Sequence, residues 1–269
     1  MTEASAALEK TPRVDILGVR VSATTMEGAL GAIEGWITRG QPHYVCVSGM
    51  HGVMECQRDE ELRRIHNAAG LVTTDGMPLV WLCRLKGQRR TERVYGPDLM
   101  LALCSRSQDK GYRHFLYGAS ADVLEALTSR LQTRFPRLNV VGTYAPPYRP
   151  LDPLEDSQIV ESIKQTRPDV VWVGLSTPKQ ERWMAEHVER IGAPALIGVG
   201  AAFDFHSGRK RQAPRWMQRN GLEWFFRLLS EPRRLYRRYL VNIPLFACYL
   251  GLEALGLRHS QSGAERSSQ

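Results

Sequence analysis

The first residue able to do chemistry is a carboxylate set immediately after an apolar run. In Thr73-Thr74-Asp75-Gly76-Met77-Pro78, Asp75 stands between a strand-like segment and a helix start. A general base needs such a group, held on a rigid element, partly screened from water and within reach of the proton it takes. Asp75 could equally N-cap the following helix, with Gly76 permitting the turn, and local pattern leaves both readings open. A second segment, Gly174-Leu175-Ser176-Thr177-Pro178-Lys179-Gln180-Glu181, reads as a helix start with Ser176 or Thr177 as cap and Pro178 at the first helical position. Free backbone N–H groups and the positive dipole end there suit a diphosphate, with Lys179 and Gln180 as side-chain donors, although any ordinary helix start has the same spacing. A third, Gly198-Val199-Gly200-Ala201-Ala202-Phe203-Asp204, opens like a dinucleotide fingerprint, but Phe203 takes the place of the third glycine.

Metal ligation has little support. No Asp-x-Asp pair occurs, Asp204 with His206 is a loose substitute, and His51 and His66 are isolated from other ligand types. Chemistry without a tightly bound metal and without a cofactor is expected, with arginines neutralising any leaving diphosphate.

These residues must be carried by a scaffold, and the chain from residue 13 to 205 alternates β-branched runs with helical patterns, the mark of an α/β sheet covered on both faces. Strands are predicted at Val14–Val21, His43–Val47, Leu71–Thr74, His114–Tyr117, Val140–Tyr144, Val170–Leu175 and Ala195–Val199. Helices are predicted at Thr25–Arg39, Val53–Asn67, Asp98–Lys110, Ala121–Phe135, Asp156–Thr166 and Lys179–Ile191. Runs such as Val170-Val171-Trp172-Val173 read as central strands buried on both faces, with the sheet edge near the first hairpin. Ligands of an open α/β sheet bind beyond the carboxyl ends of its strands. The loops to inspect are therefore Ser48–Gly52, Thr74–Met77, Gly118–Ser120, Gly174–Lys179 and Gly200–Gly208, with Gly174 and Gly200 counted among the binding residues.

Composition changes after Phe205. The chain carries a net charge of +8, and the stretch 206–240 concentrates it in ten arginines and lysines, Arg209 to Arg238, against only Glu223 and Glu231. The same stretch holds Trp216, Trp224, Phe225, Phe226, Tyr236 and Tyr239. On a helix, Leu235, Tyr236, Tyr239, Leu240 and Ile243 fall in one arc with Arg233, Arg234, Arg237 and Arg238 opposite. That is the pattern of a basic helix in a membrane interface, and equally of a surface helix with a solvated charged face. The apolar run Ile243–Leu257 is interrupted by Pro244 and Glu253 and falls short of the roughly 20 residues of a spanning helix. Five cysteines without a close pair fit a reducing compartment, and residues 1–10 lack the apolar run of a secretory signal, so a cytoplasmic protein peripheral to the membrane is expected. The tail 259–269 is polar and reads as disordered. A Rossmann-like core over 13–205 with a basic helical appendage over 206–258 is the predicted organisation.

An ordered series of short motifs resembles the WecG/TagA/CpsF glycosyltransferase family. It comprises Asp75-Gly76-Met77, Arg93-Val94-Tyr95-Gly96-Pro97-Asp98-Leu99, Pro178-Lys179-Gln180-Glu181, Gly198-Val199-Gly200 with Phe203-Asp204, Arg215-Trp216, Gly221-Leu222-Glu223-Trp224, Arg227-Leu228 and Glu231-Pro232-Arg233. The resemblance runs from about Val14 to about Leu240. It implies an inverting transferase with a UDP-sugar donor (N-acetylmannosamine, its uronic acid or a glucose-type sugar) and a polyprenyl-diphosphate-linked acceptor in bacterial surface-glycan synthesis. It also implies Asp75 as the base, Gln180 to position substrate, Asp204 near the nucleotide, and Arg93, Arg227, Arg234 and Arg237 about the phosphates. The implied partners are the two substrates and an anionic membrane surface, not nucleic acid. Where many relatives carry Thr-x-Asn, this chain reads Ser48-Gly49-Met50-His51. Ser48 supplies the hydroxyl, Met50 lacks the amide, and His51 is the candidate replacement. Competing readings are a nucleotide-dependent oxidoreductase, disfavoured by the incomplete glycine fingerprint, and a basic nucleic-acid-binding module, disfavoured by the segregated apolar face.

Overall fold

A computed structural model describes residues 11–257, of which Arg234, Arg237 and Arg238 are described by their backbone alone. The expectations for residues 1–10 and for the tail 259–269 lie outside the described residues.

The chain opens with a hairpin, β1 (Arg13–Ile16) and β2 (Val19–Ser22), and continues α1 (Met26–Arg39), β3 (His43–Ser48), α2 (Met50–Arg58), α3 (Glu60–Ala68), β4 (Leu71–Thr74), α4 (Met77–Leu85), α5 (Gly96–Lys110) and β5 (Arg113–Gly118). There follow α6 (Ala121–Arg134), β6 (Asn139–Tyr144), α7 (Pro153–Gln165), β7 (Val170–Gly174), α8 (Lys179–Ile191), β8 (Ala195–Gly198) and α9 (Ala202–His206). The basic segment forms α10 (Arg215–Arg219), α11 (Glu223–Ser230) and α12 (Pro232–Ala254).

Among the described residues, six strands form one sheet in the order β4-β3-β8-β7-β5-β6, every neighbouring pair parallel. Parallel strands need crossovers, which place helices on both faces and bury the strands on both sides. β7 shows the result. Val170 and Trp172 point into one apolar cluster, with Leu99, Leu116 and Ile197, while Val171 and Val173 point into the other, with Tyr117, Met184 and Leu196. The predicted α/β fold, a Rossmann-like parallel sheet with helices on both faces and a C-terminal helix, is the fold observed.

Three local expectations are corrected. The single strand predicted over Val14–Val21 turns at Leu17 and Gly18 into a two-stranded antiparallel unit separate from the main sheet, and it stands beside the edge strand β4, where Val72 N donates to Ser22 Oγ at 3.0 Å, so a sheet edge does lie near the first hairpin and the other is β6. The single helix predicted over Val53–Asn67 is two, because the Asp59 carboxylate accepts from Leu62 N at 3.0 Å and restarts the helix at Glu60. The apolar arc of α12 divides. Leu235 and Tyr239, continued by Asn242 and Phe246, are buried against the protein, whereas Tyr236, Leu240 and Val241 face outward. An i, i+4, i+7, i+11 stripe fills the contact with the protein, and the rest of the arc has no room in it. Pro244 lies within α12 rather than ending it. Among the described residues no helix is long and apolar enough to cross a membrane.

Candidate active site

Because every strand of a parallel sheet runs the same way, all six carboxyl ends open on one side, and a cleft of about 780 Å³ lies there. The five loops singled out in the sequence all border it. So does a sixth that sequence reasoning passed over, Pro146–Leu151 after β6, with Tyr148 fully exposed at its mouth.

Asp75 sits one residue beyond β4. Its N–H extends the ladder to Ser48 O at 3.0 Å, and its Oδ1 accepts from Gly96 N at 3.0 Å. It does serve a helix start, but that of α5 rather than of the helix that follows it, since the N-cap of α4 is Gly76, which has no side chain to cap with. Oδ1 is thus anchored, while Oδ2 lies toward Gly49 on the wall of the cleft. Packing round the carboxyl raises its pKa above the usual carboxylate value. Arg93, the Gly96 N–H and Arg227 oppose the rise, and Glu223 adds to it. A carboxylate with one fixed oxygen, one oxygen open to a cleft and increased proton affinity is suited to general-base work.

Gln180, on the first turn of α8, is buried at the cleft wall. Its Nε2 donates to Glu181 Oε1 at 3.0 Å, an oxygen that also accepts from Thr177 Oγ at 2.9 Å. Glu181 Oε1 therefore accepts twice, which fixes the amide orientation and leaves Gln180 Oε1 buried without a partner beside Gly200. The expectation of a donor for diphosphate is corrected: Gln180 presents an acceptor, which matches an O–H or N–H of a ligand. Neither Ser176 nor Thr177 caps α8, and Pro178 is its N-cap rather than its first residue. Thr177 is drawn instead to Glu181, and the Gln180 N–H is spent on Ser176 O at 3.0 Å.

Ser48 is buried at the end of β3 and lines the cleft, its hydroxyl 3.3 Å from His66 Nε2. His66 Nδ1 lies 3.0 Å from Leu62 O and so carries the proton, which leaves Nε2 to accept from Ser48 and makes Ser48 Oγ an acceptor toward the cleft. Met50 packs on the apolar cluster below, whereas His51 lines the cleft and meets Asn242 of α12 at 3.4 Å. Of the two residues standing near the absent asparagine, only the histidine reaches the ligand space. Asp204 lines the cleft and pairs with Lys210 at 2.9 Å, while His206 turns to Pro97 O at 2.9 Å. The two do not converge, and among the described residues no three His, Cys, Asp or Glu side chains are grouped to hold a metal ion. A Cβ on Gly174 would stand 2.6 Å from the Phe203 ring, so Gly174 is required by the very side chain that spoils the glycine fingerprint. Gly200 holds a left-handed φ of 50° at the turn into α9.

Arg227 projects from α11 into the cleft, and although burial works against its charge, Tyr239, Glu223, Tyr95 and Asp75 outweigh it and hold its proton more firmly. Arg93 stands beside Asp75 but is turned away from the cleft. Its Nε donates to Asp75 O, its Nη2 pairs with Glu223, and its guanidinium lies 4.0 Å from the centre of the Tyr95 ring. The side chains of Arg234 and Arg237 lie outside the described residues. Sequence reasoning gave no role to Tyr95, Glu181 or Glu223, although each lies within a motif, and it counted Lys210 only as charge.

The sequence matches the glycosyl transferase WecG/TagA/CpsF family over residues 14–260. The chain belongs to this family. Among its relatives, the N-acetylglucosaminyldiphosphoundecaprenol N-acetyl-beta-D-mannosaminyltransferase of Bacillus subtilis (strain 168) is 31% identical over 71% of this chain and 72% of its own length. Enzymes of the same name from Staphylococcus aureus strains MW2 and NCTC 8325 are each 29% identical over 88% of this chain and 91% of theirs. The protein is thus a glycosyltransferase, and the oxidoreductase reading of its glycine-rich turn is set aside.

Proposed function

We propose that this transferase moves an N-acetylhexosamine of the mannosamine type from a UDP-sugar onto a polyprenyl-diphosphate-linked sugar, with inversion, at a membrane surface. The observation that carries the reading is Asp75 Oδ2, directed into a cleft that has Arg227 on its wall. In the reaction the acceptor hydroxyl forms a bond to the anomeric carbon on the face opposite UDP. The bond from that carbon to the diphosphate oxygen breaks, UDP leaves with the electron pair, and Asp75 takes the hydroxyl proton. Arg227, with Arg234 and Arg237, offsets the charge that grows on the departing diphosphate. Gln180 Oε1 and Ser48 Oγ accept from sugar hydroxyl or acetamido groups, His51 stands in for the family amide, and Asp204 lies toward the nucleoside.

Residues 206–258 serve as the membrane-facing appendage. Exposed Phe225, Leu229, Tyr236, Leu240 and Val241 lie among its arginines, the combination that enters an anionic lipid interface. A UDP-release screen across UDP-sugars, with and without lipid-linked acceptor, tests the reading. Release that needs both substrates supports it, and silence with every donor refutes it.

A further inference from the structure

A site that binds a sugar diphosphate gains nothing from an added carboxylate nearby, yet Glu223 is brought within the electrostatic reach of Asp75 from a helix far along the chain. Both its oxygens are used. Oε2 pairs with Arg93, and Oε1 accepts from the Tyr95 hydroxyl at 3.1 Å. The pair is largely buried, with side chains 15% and 14% exposed. Arg93 then donates through Nε to the Asp75 carbonyl, and the Gly96 N–H, one residue beyond Tyr95, holds Asp75 Oδ1. Residues 92–96 are tied to the end of β4 as well, through Val94 N to Thr74 O at 3.0 Å and Thr74 Oγ to Glu92 O at 2.6 Å. Among the described residues, the hydrogen bonds that Asp75 accepts from outside β3 and β4, those of Arg93 Nε and the Gly96 N–H, thus come from a segment that Glu223 grips.

We infer that Glu223 is a positioning residue for the transfer reaction, coupling the seating of α11 to the placement of Asp75 through Arg93 and Tyr95. The inference rests on the reading of Asp75 as the base. α11 is built for such a link. Glu223 and Arg227, four residues apart on one face, turn inward, the first to Arg93 and Tyr95 and the second to the cleft, while Phe225 and Leu229, with Leu222 just before the helix, are exposed on the other. A lipid surface that takes up the outer face holds the inner one in register. Glu223 also neutralises Arg93, so that Arg227 is left to meet the diphosphate.

Among the described residues, the charged and titratable groups facing Asp75 are Arg93 and Tyr95 from the segment before α5, and Glu223 and Arg227 from α11. The signs differ. Removing Glu223 takes away a like charge and unmasks Arg93, so the proton affinity of Asp75 falls. Removing Arg93 with Glu223 takes away the larger of the two opposing influences, so it rises. The test measures kcat, donor KM and the pH dependence of kcat/KM for the full chain on vesicles carrying acceptor, with folding checked by thermal melts. Glu223→Gln is expected to lower kcat at least tenfold with donor KM within about threefold, and to move the acid limb to lower pH. Arg93→Gln/Glu223→Gln, a neutral pair that serves also if the single variant fails to fold, is expected to move that limb above wild type. Glu223→Asp should return the limb toward wild type. Unchanged kcat and limb in a folded Glu223→Gln, or a limb that does not rise in the double variant, overturns the inference. If Asp75→Asn keeps wild-type turnover, the base reading itself falls. If Asp75→Asn is inactive while Glu223→Gln behaves as wild type, only the role of Glu223 does.

Discussion

Replacing Asp75 by asparagine removes the proposed base and little else. The carbonyl oxygen of the substituted amide keeps the Gly96 N–H, now 3.0 Å from Oδ1, and the backbone contacts to Ser48 and Arg93 do not involve the side chain. Loss of a positioned general base costs about 10²–10⁴-fold in rate. At about 1.4 kcal/mol per decade this is roughly 3–5 kcal/mol of transition-state stabilisation. Stability should move the other way. The folded-state pKa of Asp75 is raised by packing round the carboxyl, so its contribution to folding is full below the unfolded-state pKa and is lost as pH rises through the folded value. At neutral pH the charge is therefore a cost that asparagine lacks, and the melting temperature of Asp75→Asn should equal or exceed that of the parent. In the parent, kcat/KM should fall as pH drops through a value raised from that of an ordinary aspartate, and the residual activity of the variant should lack that limb. The assay is UDP release with donor and lipid-linked acceptor across pH, beside thermal melts at pH 7. Turnover within about threefold of the parent, or a clear loss of thermal stability, would refute the reasoning.

Other consequences are as direct. Gln180→Met removes the unpartnered acceptor at the cleft, and kcat/KM for the donor should drop about ten- to hundredfold, near the 1–3 kcal/mol worth of a buried hydrogen bond; an unchanged donor profile would show that no ligand group meets Oε1. Gly174→Ala places a methyl 2.6 Å from the Phe203 ring and should cost about 1–3 kcal/mol of stability by denaturant unfolding. Phe225→Ser with Leu229→Ser strips the outer face of α11 and should weaken binding to anionic vesicles at least tenfold, at up to about 1.5–3 kcal/mol per fully inserted side chain. Equal vesicle affinity would place the membrane contact elsewhere.

Much of this was legible before the structure, for physical reasons that differ by element. Leu71–Thr74 and Lys179–Ile191 were read to the residue, because a β-branched run after a glycine and a periodic stripe ending at Gly192 leave little choice. The break at Asp59 was not, since a capping aspartate and a helical aspartate look alike until the Leu62 N–H is placed. In the site, the rule of strand carboxyl ends located five of the bordering loops, and Pro146–Leu151, which it missed, lies just beyond a strand that was itself predicted. The orientation of Gln180 was hidden because it depends on which atom of Glu181 accepts. The pairing of Arg93 with Glu223 spans 130 residues of sequence, and no spacing rule connects them. Charge counting had set Glu223 down as a minor offset to a basic segment, and only the fold reveals that it grips the strap beside Asp75.

The most direct measurement is UDP release by the full chain supplied with UDP-N-acetylmannosamine and a polyprenyl-diphosphate-linked N-acetylglucosamine acceptor, with the anomeric configuration of the product read by NMR. The account predicts release that requires both substrates, is lost in Asp75→Asn and yields the inverted anomer. Release without acceptor, a retained configuration or full activity in Asp75→Asn would contradict it.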